Sequence, residues 1–159
     1  MGSASDGSRI LLVDPHRLSL LVLGITLEQR GYVCECVENA DDSIPRVTAF
    51  RPDVVIYDWR MQNGLGLPAR LRAAAGVEGI GLSIIALSTQ AEPEGFRETH
   101  QVDAYLVKPY DLACLLRALA RARDRIDAPV AQSRVDSARE ASSPPLTNLP
   151  VASRRLTRS

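Results

Sequence analysis

Five short apolar segments recur along the chain, and each predicts a buried strand. They are rich in β-branched and aliphatic residues, and the third and fourth are too apolar for burial on one side only, which favours strands covered on both faces. Longer stretches with helical spacing of apolar residues separate them. The five segments are RILLVD, YVCECVE, PDVVIYD, SIIALS and AYLV. The pattern therefore predicts five alternating strand and helix units.

The helices between these strands have unequal support in the sequence. The first is predicted over residues 16–30 and ended by Gly31, and the last begins after Asp111 as its N-cap. The helix over residues 40–50 is weaker, because Pro45 fits only a first turn and would otherwise delay or kink it. The remaining two helices are predicted at residues 67–75 and 92–100.

The first helix has apolar residues on two nearly opposite faces. We assign to the core the stripe formed by Leu18, Leu21, Val22 and Ile25. The second stripe consists of Leu20, Leu23 and Leu27. A helix that is apolar all round is deeply buried or docked on something. The second stripe is therefore expected to meet a partner protein, a second copy of the chain, or a loop or tail of the same chain.

Alternating strands and helices form a parallel sheet with helices on both faces, because each crossover must be right-handed and at least a helix long. We predict an α/β fold, a single doubly wound domain over residues 9–126. Residues 1–8 are predicted to be a disordered leader. Residues 127–159 hold four prolines and five arginines but few apolar residues, which predicts a flexible tail rather than a folded output domain.

Composition excludes several classes of partner. Basic and acidic residues number 19 each, so no overall basic field draws the chain to nucleic acid or to an anionic membrane. No segment is long and apolar enough for a membrane span, and the amino terminus lacks a signal peptide pattern. The three cysteines are predicted to be reduced, because they are odd in number and lack metal-ligand spacing. These features predict a cytoplasmic protein.

Polar residues follow four of the predicted strands. They are Asp14, Asp58, Ser88 and the pair Lys108 and Pro109. The carboxyl ends of parallel strands meet at one edge of a sheet, where ligands of open α/β folds bind. We therefore expect two carboxylates, a hydroxyl and an ammonium to converge there.

Together these segments resemble the receiver domain of two-component response regulators. The resemblance rests on LLVD, on DVVIYDWRM followed by Gly66, on IIALS and on AYLVKPY, and it spans about residues 9–126. It implies a flavodoxin-like (βα)5 fold and a signalling protein in a phosphorelay rather than an enzyme. It also implies a histidine kinase or phosphotransfer protein as phosphoryl donor, and a downstream protein partner.

The resemblance assigns roles to individual residues. It makes Asp58 the phosphoacceptor, Lys108 the ligand of a phosphoryl oxygen, and Ser88 a hydrogen-bond donor to the phosphoryl group. Tyr105 would be the aromatic residue that rotates with Ser88 as a switch, and the bond from Lys108 to Pro109 would be cis. Mg²⁺ would be held by Asp14, Asp58 and the backbone carbonyl of Arg60.

Pro15 departs from the family pattern. It replaces a second acid that would ligate Mg²⁺ directly, and proline offers no side-chain oxygen. We therefore expect weakened magnesium binding. The Arg60 guanidinium could replace the missing charge by pairing with Asp58 or Asp14, or it could simply extend into solvent. His16 and His100 are expected to be solvated loop or helix-cap residues.

Three hypotheses follow. In the first, Asp58 is phosphorylated despite Pro15, and the protein acts through protein contacts without a folded output domain. In the second, the site is degenerate and the protein is a phosphorylation-independent scaffold. The third is an α/β enzyme binding a nucleotide or flavin, against which stand the absence of glycine from DPHRLS and of a nucleophile turn. Homodimerisation is compatible with the first two.

Overall fold

The computed structural model of the chain describes residues 7–127, in which five strands alternate with five helices. The elements are β1 (Arg9–Val13), α1 (Arg17–Glu28), β2 (Val33–Val37), α2 (Ala40–Phe50), β3 (Val54–Asp58), α3 (Leu67–Val77), β4 (Ser83–Ser88), α4 (Phe96–His100), β5 (Ala104–Val107) and α5 (Leu112–Asp127). The predictions of a disordered leader and a flexible tail fall almost wholly outside these residues.

The five strands form one parallel sheet in the order β2-β1-β3-β4-β5. Leu12 of β1 pairs with Ile56 of β3, which in turn pairs with Ile85 of β4. The predicted parallel sheet is thus confirmed. The strand order reverses direction beside β1 and β3, and this switch point is where parallel sheets of this kind open a crevice for ligands.

Helices cover both faces of the sheet. On one face α2, α3 and α4 bury a core that includes Val47, Leu71 and Phe96. On the other face α1 and α5 bury a second core that includes Leu27 and Leu115. Alternate residues of the central strands β1, β3 and β4 enter the two cores, so these strands are apolar along most of their length.

The predicted orientation of α1 is wrong. The stripe assigned to the core is the exposed one: Leu18, Leu21, Val22 and Ile25 are 73%, 57%, 59% and 47% exposed. The opposite stripe faces the sheet, with Leu20 and Leu27 buried and Leu23 half-buried. Periodicity separates the two faces of a helix, but it does not say which one meets the sheet.

Gly24 lies on the face of α1 that packs against the sheet. A Cβ atom at this position would lie 3.6 Å from Cys36 Sγ and 3.8 Å from Leu12 Cδ1. The helix therefore approaches β1 and β2 closely along the line of Leu20, Gly24 and Leu27, which are its buried residues. The glycine on that face was the one sequence signal that could have identified it.

The helix predicted over residues 40–50 is confirmed, but the expectation for Pro45 and the predicted start of α4 need correction. Helix α2 begins at Ala40, where Asn39 accepts a hydrogen bond from the Asp42 amide at 2.7 Å. Pro45 consequently lies in the second turn rather than in the first. Helix α4 begins only at Phe96, not at residue 92, because Gly95 has a left-handed φ of 69° and cannot continue a preceding helix.

Other helix ends agree with the sequence. Gly31, with φ of 89°, follows the end of α1. The side chain of Asp111 accepts a hydrogen bond from the Ala113 amide at 3.1 Å, which confirms it as the N-cap of α5. Within the described part of the chain, no helix combines the length and apolar character needed to cross a membrane.

Candidate functional site

Two carboxylates and the Lys108 ammonium meet at the carboxyl ends of β1 and β3. Asp58 is the last residue of β3, and Asp14 directly follows β1, the neighbouring strand. Lys108 Nζ lies 3.0 Å from Asp14 Oδ2 and 3.1 Å from Asp58 Oδ2. The structure therefore brings together three residues separated by up to 94 positions in the sequence.

Electrostatics keep Lys108 charged. Burial by itself would lower the pKa of this ammonium, but its hydrogen bonds with Asp14 and Asp58 and their negative charge outweigh burial and raise it. The ammonium thus remains a fixed positive charge at neutral pH. It compensates one of the two carboxylate charges that the sheet edge brings together.

The second oxygen of each carboxylate faces backbone amides. Asp14 Oδ1 accepts a hydrogen bond from the His16 amide at 2.7 Å and lies 3.0 Å from His16 Nδ1. Asp58 Oδ1 accepts one from the Arg60 amide at 3.0 Å. Each carboxylate is therefore oriented by the turn that follows its strand, with Oδ2 left to the ammonium.

The contact of His16 with the acidic site was not predicted from the sequence. His16 occupies the N-cap position of α1, as a helix-cap residue was expected to, but its imidazole contacts Asp14 instead of only solvent. Aspartate side chains commonly accept a hydrogen bond from the amide two residues later. The spacing in the segment Asp14-Pro15-His16 was the signal that could have placed this ring beside the carboxylate.

Only two of the three side chains at this edge offer the oxygen ligands that magnesium prefers. Asp14, His16 and Asp58 each offer one ligand atom, and these atoms lie within 4.8 Å of one another. Mg²⁺ prefers an octahedron of oxygen atoms, whereas this set contains an imidazole nitrogen and Pro15 supplies no side-chain oxygen. Ligation of a metal ion by the backbone carbonyl of Arg60 remains a prediction.

The Arg60 side chain does not pair with either carboxylate. Its guanidinium donates a hydrogen bond to Gln90 Oε1 and lies over the Trp59 ring, 5.4 Å from the ring centre. The hypothesis that it pairs with Asp58 or Asp14 in place of a missing cation is therefore wrong for this structure. Arg60 instead joins the loop after β3 to the loop after β4.

The two expected switch residues lie in the same region. Ser88 is fully buried, and its Oγ accepts a hydrogen bond from the Gln90 amide at 3.0 Å. The Tyr105 hydroxyl accepts one from Trp59 Nε1 at 2.8 Å and donates one to the Gln90 carbonyl at 2.8 Å. Trp59 and Gln90, which the sequence did not single out, thus connect Tyr105 to the loop that carries Ser88.

A groove of about 580 Å³ opens beside the carboxylates. Asp14, Lys108 and Tyr110 lie along its polar side, and apolar residues of α1, including Leu18 and Val22, form much of its wall. Because Asp14 and residues of α1 line the same groove, the exposed stripe of α1 is continuous with the rim of the acidic site. The bond between Lys108 and Pro109 is cis, as the family resemblance implied.

Comparison with known proteins agrees with this geometry. The response regulator receiver domain model matches residues 10–120. The chemotaxis protein CheY4 of Vibrio cholerae is 24% identical, with 73% of this chain and 98% of that chain covered at a TM-score of 0.65. Among curated proteins there is no significant match.

Two further structures extend the likeness. The response regulator TrrA of Thermotoga maritima, solved in complex with Mg(2+)-BeF, is 23% identical over 72% of this chain and 98% of its own, with a TM-score of 0.62. The receiver domain of Ssk1 from Saccharomyces cerevisiae, solved with the histidine phosphotransfer protein Ypd1, is 14% identical over 79% and 96%, with a TM-score of 0.68. The family match spans well over half of the chain, which therefore belongs to the response regulator receiver domain family of two-component signalling.

Proposed function

We propose that Asp58 accepts a phosphoryl group from a phosphohistidine of a histidine kinase or phosphotransfer protein. A carboxylate oxygen of Asp58 attacks the phosphorus atom, the new O–P bond forms as the N–P bond breaks, and the imidazole leaves with the electron pair. The observation that carries this proposal is the Lys108 ammonium, 3.1 Å from Asp58 Oδ2. An ammonium at this position can stay in contact with the acceptor oxygen during the transfer and then bind the phosphoryl group.

The neighbouring residues have separate parts in this mechanism. Lys108 acts as a point charge toward a phosphoryl oxygen. Ser88 Oγ is an acceptor in its bond with the Gln90 amide, so its own proton is available for donation to the phosphoryl group. A bound divalent cation would further neutralise the phosphoryl charge.

The response to phosphorylation is proposed to pass through Tyr105. A phosphoryl group that draws the Ser88 hydroxyl toward itself would disturb the Gln90 loop, which holds the Tyr105 hydroxyl. Tyr105 lies on β5, between α4 and α5 in the sequence. A downstream protein would then recognise the changed surface of these elements.

The phosphoryl donor is proposed to dock on the exposed stripe of α1. Four apolar side chains, Leu18, Leu21, Val22 and Ile25, are exposed there, and the helix begins three residues after Asp14. An amphipathic helix packed along this stripe would present its phosphohistidine at the acidic site. The complex of the similar Ssk1 receiver domain with a phosphotransfer protein supports a partner of this class.

Substitutions on α1 separate docking from chemistry. We expect Leu21→Glu to slow phosphoryl transfer from a phosphorylated partner by at least about tenfold, because it places a charge in an apolar contact, while transfer from a small acyl phosphate is unchanged. Val77→Glu, at a residue 85% exposed at the end of α3, is the control. Equal rates for all three proteins with the protein donor would contradict docking on α1. If the wild-type chain forms dimers and Leu21→Glu dissociates them, the stripe binds a second copy of the chain instead.

The acceptor itself is tested by intact mass. The wild-type chain, Asp58→Asn and the surface control Asp41→Asn are incubated with a small acyl phosphate, with and without divalent cation. We expect one added phosphoryl group in the wild type and in Asp41→Asn, and none in Asp58→Asn. A group added equally to Asp58→Asn would exclude Asp58 as the acceptor.

A phosphorylation-independent scaffold is the second candidate. Pro15 removes a carboxylate, and Lys108 already pairs with both Asp14 and Asp58 in the unmodified protein. Both features suit a site that holds the fold in one state without chemistry. No added mass in any arm, together with partner binding that Asp58→Asn leaves intact, would favour this function.

A further inference from the structure

We propose that the acidic site takes a transition-metal dication, with His16 as a ligand beside Asp14 and Asp58. The chemical class is a cation such as Zn²⁺ or Co²⁺ rather than Mg²⁺. The inference concerns the same site as the proposed function, but it is tested by metal binding without phosphoryl transfer.

The first argument is the position of the imidazole. His16 Nδ1 lies 3.0 Å from Asp14 Oδ1, and the three potential ligand atoms of His16, Asp14 and Asp58 lie within 4.8 Å of one another. Two bonds to Asp14, from the backbone amide and the ring, hold the residue there. The ring therefore contacts the site although its side chain is 73% exposed.

The second argument is the chemistry of the donor set. Pro15 removes a possible oxygen ligand, and the next residue contributes a nitrogen. One imidazole with two carboxylates suits first-row transition metals, whereas magnesium demands oxygen ligands and keeps much of its water. The exchange of oxygen for nitrogen changes which cation the site prefers.

The third argument is charge and the use of the carboxylate oxygens. Lys108 contacts Oδ2 of both Asp14 and Asp58, whereas His16 contacts Oδ1 of Asp14. The ammonium and the imidazole thus approach different oxygens, so they need not compete for one position. Two carboxylates and one ammonium leave a formal charge of −1, and a dication would make it +1, which favours a phosphoryl anion.

The two histidines of the chain make ligation directly observable. Imidazole resonances of the intact protein are followed by NMR during titration with Zn²⁺ and, separately, with Mg²⁺. His100, which packs against Phe96 on α4, is the internal reference. We expect Zn²⁺ to shift the His16 resonances and to leave those of His100 unchanged. Shifts of neither ring at saturating Zn²⁺ would overturn the proposal.

Calorimetry then measures selectivity. Tighter binding of Co²⁺ than of Mg²⁺ is common at many sites, so the deciding quantity is the effect of removing the imidazole. We expect His16→Ala to weaken Co²⁺ binding about tenfold or more and Mg²⁺ binding less than twofold, with His100→Gln as control. Equal losses for both cations, or none for Co²⁺, would overturn the proposal. The exposed His16 side chain allows the variant to fold, which thermal unfolding checks.

The visible spectrum of bound Co²⁺ identifies the ligands independently. Thiolate ligation by Cys34 or Cys36 would add intense near-ultraviolet bands, and bands of this kind would overturn assignment to the acidic site. Asp58→Asn should weaken Co²⁺ binding as His16→Ala does. If metal binding requires His16 but the chain accepts no phosphoryl group, this inference is supported and the proposed function is contradicted. The two proposals can therefore be rejected independently.

Discussion

The Lys108 ammonium lies 3.1 Å from Asp58 Oδ2, and this contact joins the end of β5 to the end of β3 across β4. Lys108 is the only lysine of the chain, in which every other basic side chain apart from the two histidines is arginine. A lysine can act here as a compact point charge that either carboxylate or a phosphoryl oxygen can approach. The contact is therefore the most direct target for experiments.

Replacing Lys108 by methionine is expected to lower the free energy of unfolding by roughly 1 to 3 kcal/mol at pH 8, because it leaves two neighbouring carboxylates without their partner. Chemical denaturation measures this change. Adding Asp58→Asn to the variant should recover part of the loss. An equally large loss after that addition would mean that charge repulsion is not the cause.

The stability contribution of Lys108 should depend on pH in one direction. Its pKa is raised above the usual 10.5 in the folded chain, so the contribution is fully present below about pH 10.5 and is lost as the pH rises through the higher folded pKa. The difference in stability between wild type and Lys108→Met should shrink in that range. Because the chain has one lysine, ¹³C NMR of labelled lysine follows a single titration. A folded pKa below 10.5 would contradict the expectation.

Two tyrosines should respond oppositely to loss of the hydroxyl. Tyr105→Phe removes hydrogen bonds with Trp59 and Gln90 and should cost about 1 to 2 kcal/mol of stability. Tyr57→Phe should be neutral or stabilising by up to about 1 kcal/mol, since the buried Tyr57 hydroxyl has no hydrogen-bond partner among the described residues. Chemical denaturation compares the two. The sole tryptophan, Trp59, should change its fluorescence in Tyr105→Phe.

The Tyr57 variant is a sensitive check on the core. Burial raises the pKa of this hydroxyl well above its usual value. Its surroundings are therefore apolar, and the hydroxyl group adds no stability to the fold. A destabilisation by Tyr57→Phe as large as that by Tyr105→Phe would show that the hydroxyl has a partner, such as a buried water molecule.

The two faces of α1 should differ sharply in their tolerance of substitution. Leu27→Ala, at a fully buried residue, should cost about 2 to 5 kcal/mol. Leu21→Ala, on the exposed stripe, should change stability by less than about 0.5 kcal/mol. Thermal and chemical unfolding measure both. The reverse ranking would restore the orientation that periodicity alone had favoured.

Arg72 should be more important than its neighbour Arg70. The Arg72 guanidinium donates hydrogen bonds to the Gln101 and Leu82 carbonyls and to Asp103 Oδ2, which joins α3 to the segments that precede β4 and β5. Arg72→Lys should cost about 1 to 3 kcal/mol, because an ammonium cannot reproduce this fork.

The control for this comparison is Arg70→Lys. Arg70 pairs only at the surface with Asp41, where both side chains are about half exposed or more, and such pairs contribute little. We expect a change below about 0.5 kcal/mol on chemical denaturation. Similar losses at both positions would imply that charge, and not the geometry of the guanidinium, stabilises α3.

The sequence by itself determined the order of strands and helices and the gathering of Asp14, Asp58 and Lys108. Both follow from local patterns: continuous apolar runs require a sheet buried on both faces, and parallel strands place the residues that follow them at one edge. Pro15 likewise indicated from the sequence alone that the turn after β1 departs from the family pattern.

Only the tertiary structure decided which stripe of α1 is buried, where α4 begins, and which partners His16, Arg60 and Tyr105 have. Periodicity shows that α1 has two different faces, but only the packing of the helix against the sheet shows that Leu20, Gly24 and Leu27 are on the buried one. The bond from Arg60 to Gln90 joins loops 30 positions apart. Contacts of this kind depend on how two loops approach across a sheet, and no local pattern along the chain encodes that distance.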